Sequence, residues 1–220
     1  MRVLTVHGWG FCPAVFQKVL PWAEHFSVDH SLGLEENALL LARGVDSDTL
    51  LVGWSLGASL AVLAASTKRP LGLVLIGATP HFGGAWKEVH LRRFFKELEE
   101  DFERKLKEFR KTAYGDADCP LPPKDGAVGL LTEFVRADLT DLFRSLEVPV
   151  FLLHGRKDPI TPFREFRKLL KLNPRFEGSV YDGGHFPTFF QEGDWKEIFA
   201  RFGQLPPLGP SAEGGRPKAG

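Results

Sequence analysis

The chain is organised around residues 50–65, which read LLVGWSLGASLAVLAA. Leu50, Leu51 and Val52 form a short apolar run, as is typical of a parallel strand that is buried on both faces. Small residues from Ala58 onward predict a helix that starts almost immediately after this strand. The stretch therefore predicts a strand, a very tight turn and a helix, which is the repeating unit of an α/β fold.

Ser55 lies at the centre of this turn, in the pattern Gly-x-Ser-x-Gly. Between a strand and a helix, this pattern predicts a strained serine whose hydroxyl stands exposed above the sheet. The N-terminus of the helix would favour negative charge close to that hydroxyl. The five-residue pattern is a weak signal by itself. Its position between strand and helix favours a nucleophile over a structural turn serine.

A serine hydroxyl is a poor nucleophile unless an oriented base activates it. Asp158 and His185 each follow the end of a predicted strand, and the order serine, acid, histidine is the one expected for this turn. We therefore predict His185 as the general base and acid, with Asp158 holding its imidazole. Asp182 precedes His185 by three residues and is the alternative acid.

An oxyanion hole requires two backbone N–H groups directed at the developing charge. We predict the amide of Leu56, directly after the nucleophile, and that of Trp9, in the His-Gly-Trp-Gly stretch that ends the first strand. The indole of Trp9 is expected to pack in the core. His7 and His154 each precede a glycine at a strand end, and structural roles are favoured for both. No metal-ligand or nucleotide-binding spacing occurs, so we expect no metal and no cofactor.

Apolar strands alternate with helical segments along most of the chain, which predicts an α/β fold with a doubly wound, mostly parallel sheet. Residues 1–80 and 146–204 are assigned to the core. Residues 81–145 carry apolar side chains every three or four positions from 86 to 113, so we predict a helical cap inserted into the core. Residues 205–220 are rich in proline and glycine and are predicted to be a disordered tail.

The chain of 220 residues carries 28 lysines and arginines and 28 aspartates and glutamates. This balance disfavours binding to nucleic acid or to a membrane surface. No apolar stretch is long enough to span a membrane and no signal peptide is evident, so a cytoplasmic monomer is expected. Cys12 and Cys119 show no metal-ligand spacing and are predicted to be free thiols.

Together, the motifs at residues 7–10, 53–57, 158–159 and 184–185 resemble those of the α/β-hydrolase superfamily. Trp9 and Trp54 make the chain similar to the pimeloyl-acyl-carrier-protein methyl ester esterase branch, which serves biotin synthesis. This resemblance implies a serine carboxylesterase that forms an acyl-enzyme from an acyl methyl ester. The acyl chain is expected to lie along phenylalanines of the cap: Phe94, Phe102 and Phe109.

Two other functions remain open from the sequence. The first is a general short-chain carboxylesterase or thioesterase, which shares the chemistry but has no carrier specificity. The second is a binding protein that keeps the hydrolase fold without catalysis, and the complete set of serine, acid and histidine argues against it.

In the branch that the chain resembles, basic residues on the cap hold the acidic acyl carrier protein. The matching candidates in this sequence are Arg92, Arg93, Arg104 and Arg110. Acidic residues are nearly as frequent in the cap, and the spacing predicts i,i+4 pairs such as Glu100–Arg104 and Glu103–Lys107. The alternative is therefore a solvated helix face held by ion pairs.

Overall fold

A computed structural model describes residues 1–203, and the predicted tail at 205–220 lies outside the described residues. A single six-stranded sheet forms the centre of the molecule. Its strands are β1 (Arg2–Val6), β2 (Glu24–Phe26), β3 (Thr49–Trp54), β4 (Gly72–Ile76), β5 (Val150–Gly155) and β6 (Glu177–Tyr181).

The strands lie in the order β2-β1-β3-β4-β5-β6, and every neighbouring pair is parallel. Every residue of β3 is buried, which explains why this strand is apolar on both faces. In the register, Gly53 of β3 lies between Val6 of β1 and Leu75 of β4. The predicted α/β fold with a mostly parallel sheet is thus confirmed. The strand that leads to Ser55 occupies the middle of the sheet.

Nine α-helices accompany the sheet within residues 1–203. They are α1 (Ala14–Gln17), α2 (Leu34–Arg43), α3 (Leu56–Thr67), α4 (Glu88–Glu100), α5 (Phe102–Ala113), α6 (Lys124–Arg136), α7 (Thr140–Ser145), α8 (Phe163–Leu172) and α9 (Glu192–Phe199). Helices α4 to α7 all lie between β4 and β5 in the chain, within the segment predicted as a cap. None of the helices in residues 1–203 combines the length and apolarity needed to cross a membrane.

The helix that the sequence predicts across residues 86–113 is interrupted at Asp101. This residue has a non-helical backbone (φ −152°, ψ 85°), and its side chain accepts a hydrogen bond from the amide of Arg104 at 3.1 Å. Asp101 therefore caps the N-terminus of α5. The break lets α5 fold back on α4, so that the rings of Phe94 and Phe109 lie 5.8 Å apart.

The interruption also changes the ion pairs of this region. Arg104 pairs with Glu108 at 2.7 Å rather than with Glu100, because residues 100 and 104 lie on different helices. Residues 103 and 107 share α5, and the predicted pair between Glu103 and Lys107 forms at 3.3 Å.

Cys12 and Cys119 form a disulfide, with their Cα atoms 5.6 Å apart. The prediction of free thiols was wrong. The cysteines are 107 positions apart in the sequence, and only the packing of the segment after α5 against the loop after β1 brings them together. The bond therefore joins the first loop of the core to the segment between α5 and α6.

Candidate active site

Ser55 adopts φ 56° and ψ −119°, and it is the one non-glycine residue with positive φ in residues 1–203. Its amide donates to the carbonyl of Ile76 in β4 at 2.9 Å. The turn depends on the close approach of strand and helix, since a Cβ atom on Gly57 would lie 2.1 Å from the carbonyl oxygen of Val6. Strain of this kind persists where the surrounding structure enforces it and is typical of functional positions.

Asp158 and His185, both predicted as partners of Ser55, are brought together by the loops after β5 and β6. Nδ1 of His185 lies 2.7 Å from Oδ2 of Asp158, and the two side chains are 1% and 0% exposed. Because a carboxylate only accepts hydrogen bonds, Nδ1 of His185 is the donor in this contact. Within residues 1–203, Nε2 of His185 is buried without a hydrogen-bond partner.

Several interactions keep Asp158 ionised. Burial acts to raise the pKa of this carboxyl, but attraction to His185, the hydrogen bond from His185 and the amide of Thr161 outweigh burial and lower the pKa. Oδ1 accepts from the amides of Ile160 and Thr161 at 2.8 and 2.9 Å. The carboxylate is therefore fixed by backbone donors on one oxygen and by imidazole on the other.

The alternative acid, Asp182, lies apart from the imidazole. Its side chain is 72% exposed and pairs with Lys157 at 2.9 Å. The geometry therefore associates His185 with Asp158 and leaves Asp182 in a surface ion pair.

The imidazole of His185 lies next to the strand that contacts Ser55. Gly77 directly follows Ile76 and has φ +58°, and a Cβ atom there would lie 2.8 Å from Nδ1 of His185. The indole of Trp54 also donates to the carbonyl of His185 at 3.0 Å. Ser55 and His185 therefore both lie at the end of β4, Ser55 through its hydrogen bond to Ile76 and His185 beside Gly77. Among the described residues, Nε2 of His185 has no hydrogen bond to Ser55. Hydrogen bonds between a nucleophile and its base often tighten only when substrate binds.

Trp9 and Leu56, whose amides were predicted to form an oxyanion hole, both lie beside Ser55. Leu56 begins α3 immediately after Ser55, and a Cβ atom on Gly8 would lie 3.3 Å from Cβ of Ser55. In the described part of the chain, neither amide has a hydrogen-bond acceptor, although both residues are buried. Backbone N–H groups of buried residues seldom lack an acceptor, so both amides stay candidates for the predicted oxyanion hole. The indole of Trp9 donates to Ala127 of α6 at 2.7 Å.

Three other buried histidines support the loops around the site. Nδ1 of His7 donates to the carbonyl of Gly8, and its Nε2 accepts from the amide of Val28, both at 3.0 Å. Nε2 of His30 accepts from the amide of Gly10 at 3.0 Å. His154 donates to the carbonyl of Thr161 at 3.0 Å. The geometry of His7 and His154 fits the structural roles favoured from the sequence, whereas His30 was not recognised because no motif distinguishes it.

A cavity of about 230 Å³ opens above Ser55. Its walls come mainly from α4, α6 and the loop after β5, and they include Phe82, Trp86, Leu91, Phe95, Leu131, Phe134, Val135 and Ile160. Phe94 and Phe109, which were predicted to contact the acyl chain, line this cavity. Phe102 is absent from the lining and packs half-buried against the core. Apart from the hydroxyl of Ser55 and the imidazole of His90, the walls are almost entirely apolar.

The four arginines considered for carrier binding divide into two groups. Arg92, Arg93 and Arg104 are exposed and pair with Glu88, Glu97 and Glu108 respectively. Arg110 is only 7% exposed, so its inclusion among the carrier contacts was wrong. Its position four residues after Leu106 places it on the inner face of α5, a signal that the sequence contained.

No cluster of three or more His, Cys, Asp or Glu side chains within residues 1–203 is arranged to hold a metal ion. The groups at the site are instead those of nucleophilic and acid–base chemistry: a hydroxyl, an imidazole, a carboxylate and two backbone amides.

Comparisons with known proteins concern the family and the fold of the chain. The model of the alpha/beta hydrolase family matches residues 3–201. A pimeloyl-acyl-carrier-protein methyl ester esterase from Vibrio cholerae is 27% identical over 228 aligned positions, which cover 87% of this chain and 89% of that protein.

Solved structures show the same fold at lower sequence identity. A bromoperoxidase from Bacillus anthracis superimposes with a TM-score of 0.77 at 18% identity and covers 91% of each chain. An esterase from Exiguobacterium antarcticum gives a TM-score of 0.71, also at 18% identity, over 91% of this chain and 89% of its own. At this level of identity the two structures support the fold only.

Proposed function

The chain belongs to the α/β hydrolase family, and on this premise we propose that it is a serine hydrolase of carboxylic esters. One observation carries the proposal. Ser55 has the strained backbone of a nucleophile and opens into the apolar cavity, next to the buried pair of His185 and Asp158. The amides of Trp9 and Leu56, which have no acceptor within residues 1–203, complete the groups that ester hydrolysis requires.

In the first half of the proposed reaction, Oγ of Ser55 attacks the ester carbonyl carbon while Nε2 of His185 accepts the hydroxyl proton. Asp158 stabilises the resulting imidazolium through the hydrogen bond at Nδ1. The carbonyl oxygen becomes an oxyanion and accepts hydrogen bonds from the amides of Trp9 and Leu56. When the tetrahedral intermediate collapses, the C–O bond to the alcohol breaks. His185 gives its proton to the departing alcohol, and the acyl group remains on Ser55.

In the second half, a water molecule takes the place of the alcohol. His185 removes a proton from the water as its oxygen attacks the acyl carbon. Collapse of the second tetrahedral intermediate returns the proton to Oγ of Ser55 and releases the carboxylic acid. No change in oxidation state occurs, so the cycle needs only ester and water.

The cavity favours an uncharged acyl chain of medium length. A cavity of 150 Å³ is known to hold benzene, so about 230 Å³ accommodates roughly nine carbon atoms. The lining contains neither lysine nor arginine, and a carboxylate at the far end of the chain would lose hydration without gaining a partner. The name of the relative from Vibrio cholerae supports a pimeloyl methyl ester on an acyl carrier protein, which would place the enzyme in biotin synthesis.

Replacing Ser55 with alanine tests the nucleophile. We expect kcat for p-nitrophenyl butyrate to fall by several orders of magnitude, leaving only the contribution of binding and of the oxyanion hole. A fluorophosphonate probe should label the wild type and fail to label Ser55→Ala. Equal labelling of both proteins would reject Ser55 as the nucleophile. Absence of ester turnover by the folded wild type would instead favour the non-catalytic binding protein.

The carrier-linked substrate can be tested on the exposed cap arginines. A double reversal, Arg92→Glu with Arg104→Glu, should raise KM for a carrier-linked methyl ester several-fold, because docking on exposed ion pairs needs several contacts together. Hydrolysis of p-nitrophenyl butyrate should change little. Arg69→Glu with Arg201→Glu, at two exposed arginines outside α4 and α5, is the matched control. If both substrates respond alike to the first pair, the general carboxylesterase or thioesterase is the better description.

A further inference from the structure

Arg110 is a buried cation that extends from α5 to the loop after β1. Its Nε donates to the carbonyl of Gly10 at 2.6 Å, and Nη1 and Nη2 donate to the carbonyls of Cys119 and Pro120 at 2.7 Å each. Among the described residues it forms no ion pair with a carboxylate. Burying a guanidinium is costly unless its donors are satisfied. Three backbone carbonyls accept these donors here, so the guanidinium joins the loop after β1 to the segment after α5.

Gly10 is held from two sides. Its amide donates to Nε2 of His30, and its carbonyl accepts from Arg110. The residue has φ +76°, and a Cβ atom would lie 2.7 Å from Cδ1 of Leu106. Only glycine combines that backbone with so little space. The peptide groups on both sides of Gly10 are therefore fixed, directly after the amide of Trp9.

Arg110 and His30 also support each other electrostatically. His30 can accept from the amide of Gly10 only while its Nε2 is unprotonated. Burial, together with the positive charge of Arg110, lowers the pKa of His30 to about 4. The arginine thus binds one side of Gly10 and helps to keep the acceptor on the other side neutral.

We propose that Arg110 is a positioning residue for the oxyanion hole, which holds the loop at residues 8–11 so that the amide of Trp9 stays where the oxyanion forms. The inference rests on the proposed esterase function. Donors of this kind contribute because they are fixed before the reaction, and a displacement of about 0.5 Å already weakens them. Arg110 touches no substrate, so its effect passes through Gly10 and Trp9.

The disulfide makes this role separable from a purely structural one. Cys12 and Cys119 already join the loop after β1 to the segment after α5. Tyr114 adds a hydrogen bond of 3.3 Å to the carbonyl of Val15. Loss of Arg110 therefore removes the hydrogen bond to the carbonyl of Gly10, while the covalent link remains.

The test compares Arg110→Met, Arg110→Lys and the wild type, all with the disulfide intact. Lys107→Met is the control, because Lys107 lies on the exposed face of the same helix and its one ion pair among the described residues is with Glu103. Removing one oxyanion donor costs about 100- to 1000-fold in kcat, so misplacing one should cost roughly 10- to 100-fold. We expect this loss in Arg110→Met, with KM within about twofold, and a smaller loss in Arg110→Lys.

The second readout is inhibition by a trifluoromethyl ketone. Oγ of Ser55 adds to its carbonyl carbon, and its carbonyl oxygen becomes the oxyanion. Its inhibition constant should rise by about the same factor as kcat falls, whereas the pH profile of kcat should keep its midpoint. A merely structural defect would raise KM and shift the melting temperature, and the rise in the inhibition constant would not match the fall in kcat.

Unchanged kcat in Arg110→Met, or lowered kcat with unchanged inhibitor binding, overturns the inference. If Arg110→Met does not fold, Arg110→Lys is judged by the same two criteria. The outcome is distinct from failure of the proposed function, which would appear as absence of ester turnover in the wild type and in Lys107→Met.

Discussion

Acid should destabilise this protein through two histidines that support the loop at residues 8–11. His7 and His30 are buried, and each uses Nε2 to accept a backbone amide, from Val28 and Gly10 respectively. Protonation converts these acceptors into donors that face N–H groups. Lowering the pH from 7.5 to 4 therefore forces the folded chain either to keep both rings neutral or to break both contacts.

The magnitude follows from the pKa values. Burial is the main cause that lowers the pKa of His7 from 6.5 to about 4, and burial with the charge of Arg110 does the same for His30. Below pH 6.5 the unfolded chain takes up protons that the folded chain does not bind. The free energy of unfolding therefore falls as the pH falls, between 6.5 and about 4. A difference of this size corresponds to about 3 kcal/mol for each histidine, a large part of the usual stability of a domain.

Urea unfolding at a series of pH values measures this effect, and His30→Gln isolates it. The glutamine carbonyl can accept the Gly10 amide but does not titrate. Between pH 7.5 and 4, the wild type should lose about 3 kcal/mol more than the variant, because all other titrating groups are common to both. Equal losses in the two proteins would refute the assignment of His30 as a neutral buried acceptor.

Three further substitutions test individual contacts. Asp158→Asn should lower kcat by about 1000- to 10,000-fold, because the amide cannot hold the tautomer of His185 that the reaction needs, whereas Asp182→Asn should stay within about twofold; the opposite order would move the acid role to Asp182. Gly77 has φ +58°, and Gly77→Ala places a methyl group 2.8 Å from the imidazole of His185, so kcat should fall at least tenfold. Unchanged kcat would contradict the position of His185. Cys12→Ser should lower the free energy of unfolding by about 3–5 kcal/mol, since the disulfide closes a loop of 107 residues; unchanged stability in urea would show that the bond is not formed.

The sheet and the pairing of Asp158 with His185 could be predicted because both depend on local patterns. Apolar runs identify the strands, and parallel strands place their carboxyl ends at one edge of the sheet. Side chains that follow different strands therefore meet without any knowledge of loop conformation. The structure brings Asp158 and His185 within 2.7 Å on this principle, although they come from different loops.

The disulfide and the role of His30 depend on contacts that no local pattern records. Cys12 and Cys119 meet only because α5 folds back at Asp101, and the acidic run that contains this residue reads as continuous helix in the sequence. His30 acts through the amide of Gly10, which any residue at position 10 except proline would carry. Tertiary packing decides both, so motif and spacing could not reveal them.

Arg110 shows that the position of an arginine on a helix face, and not the number of charges on the helix, predicts whether it is exposed for docking. Leu106, Phe109 and Ala113 define the inner face of α5, and Arg110 lies on that face because it follows Leu106 by one turn. Arg104 lies outside this face and pairs with Glu108. A carrier protein can therefore use the exposed arginine only by sharing it with a carboxylate already bound, which predicts weak, salt-sensitive docking. Arg110 is buried and is not available for docking. Its guanidinium instead binds the carbonyl of Gly10 in the loop at residues 8–11.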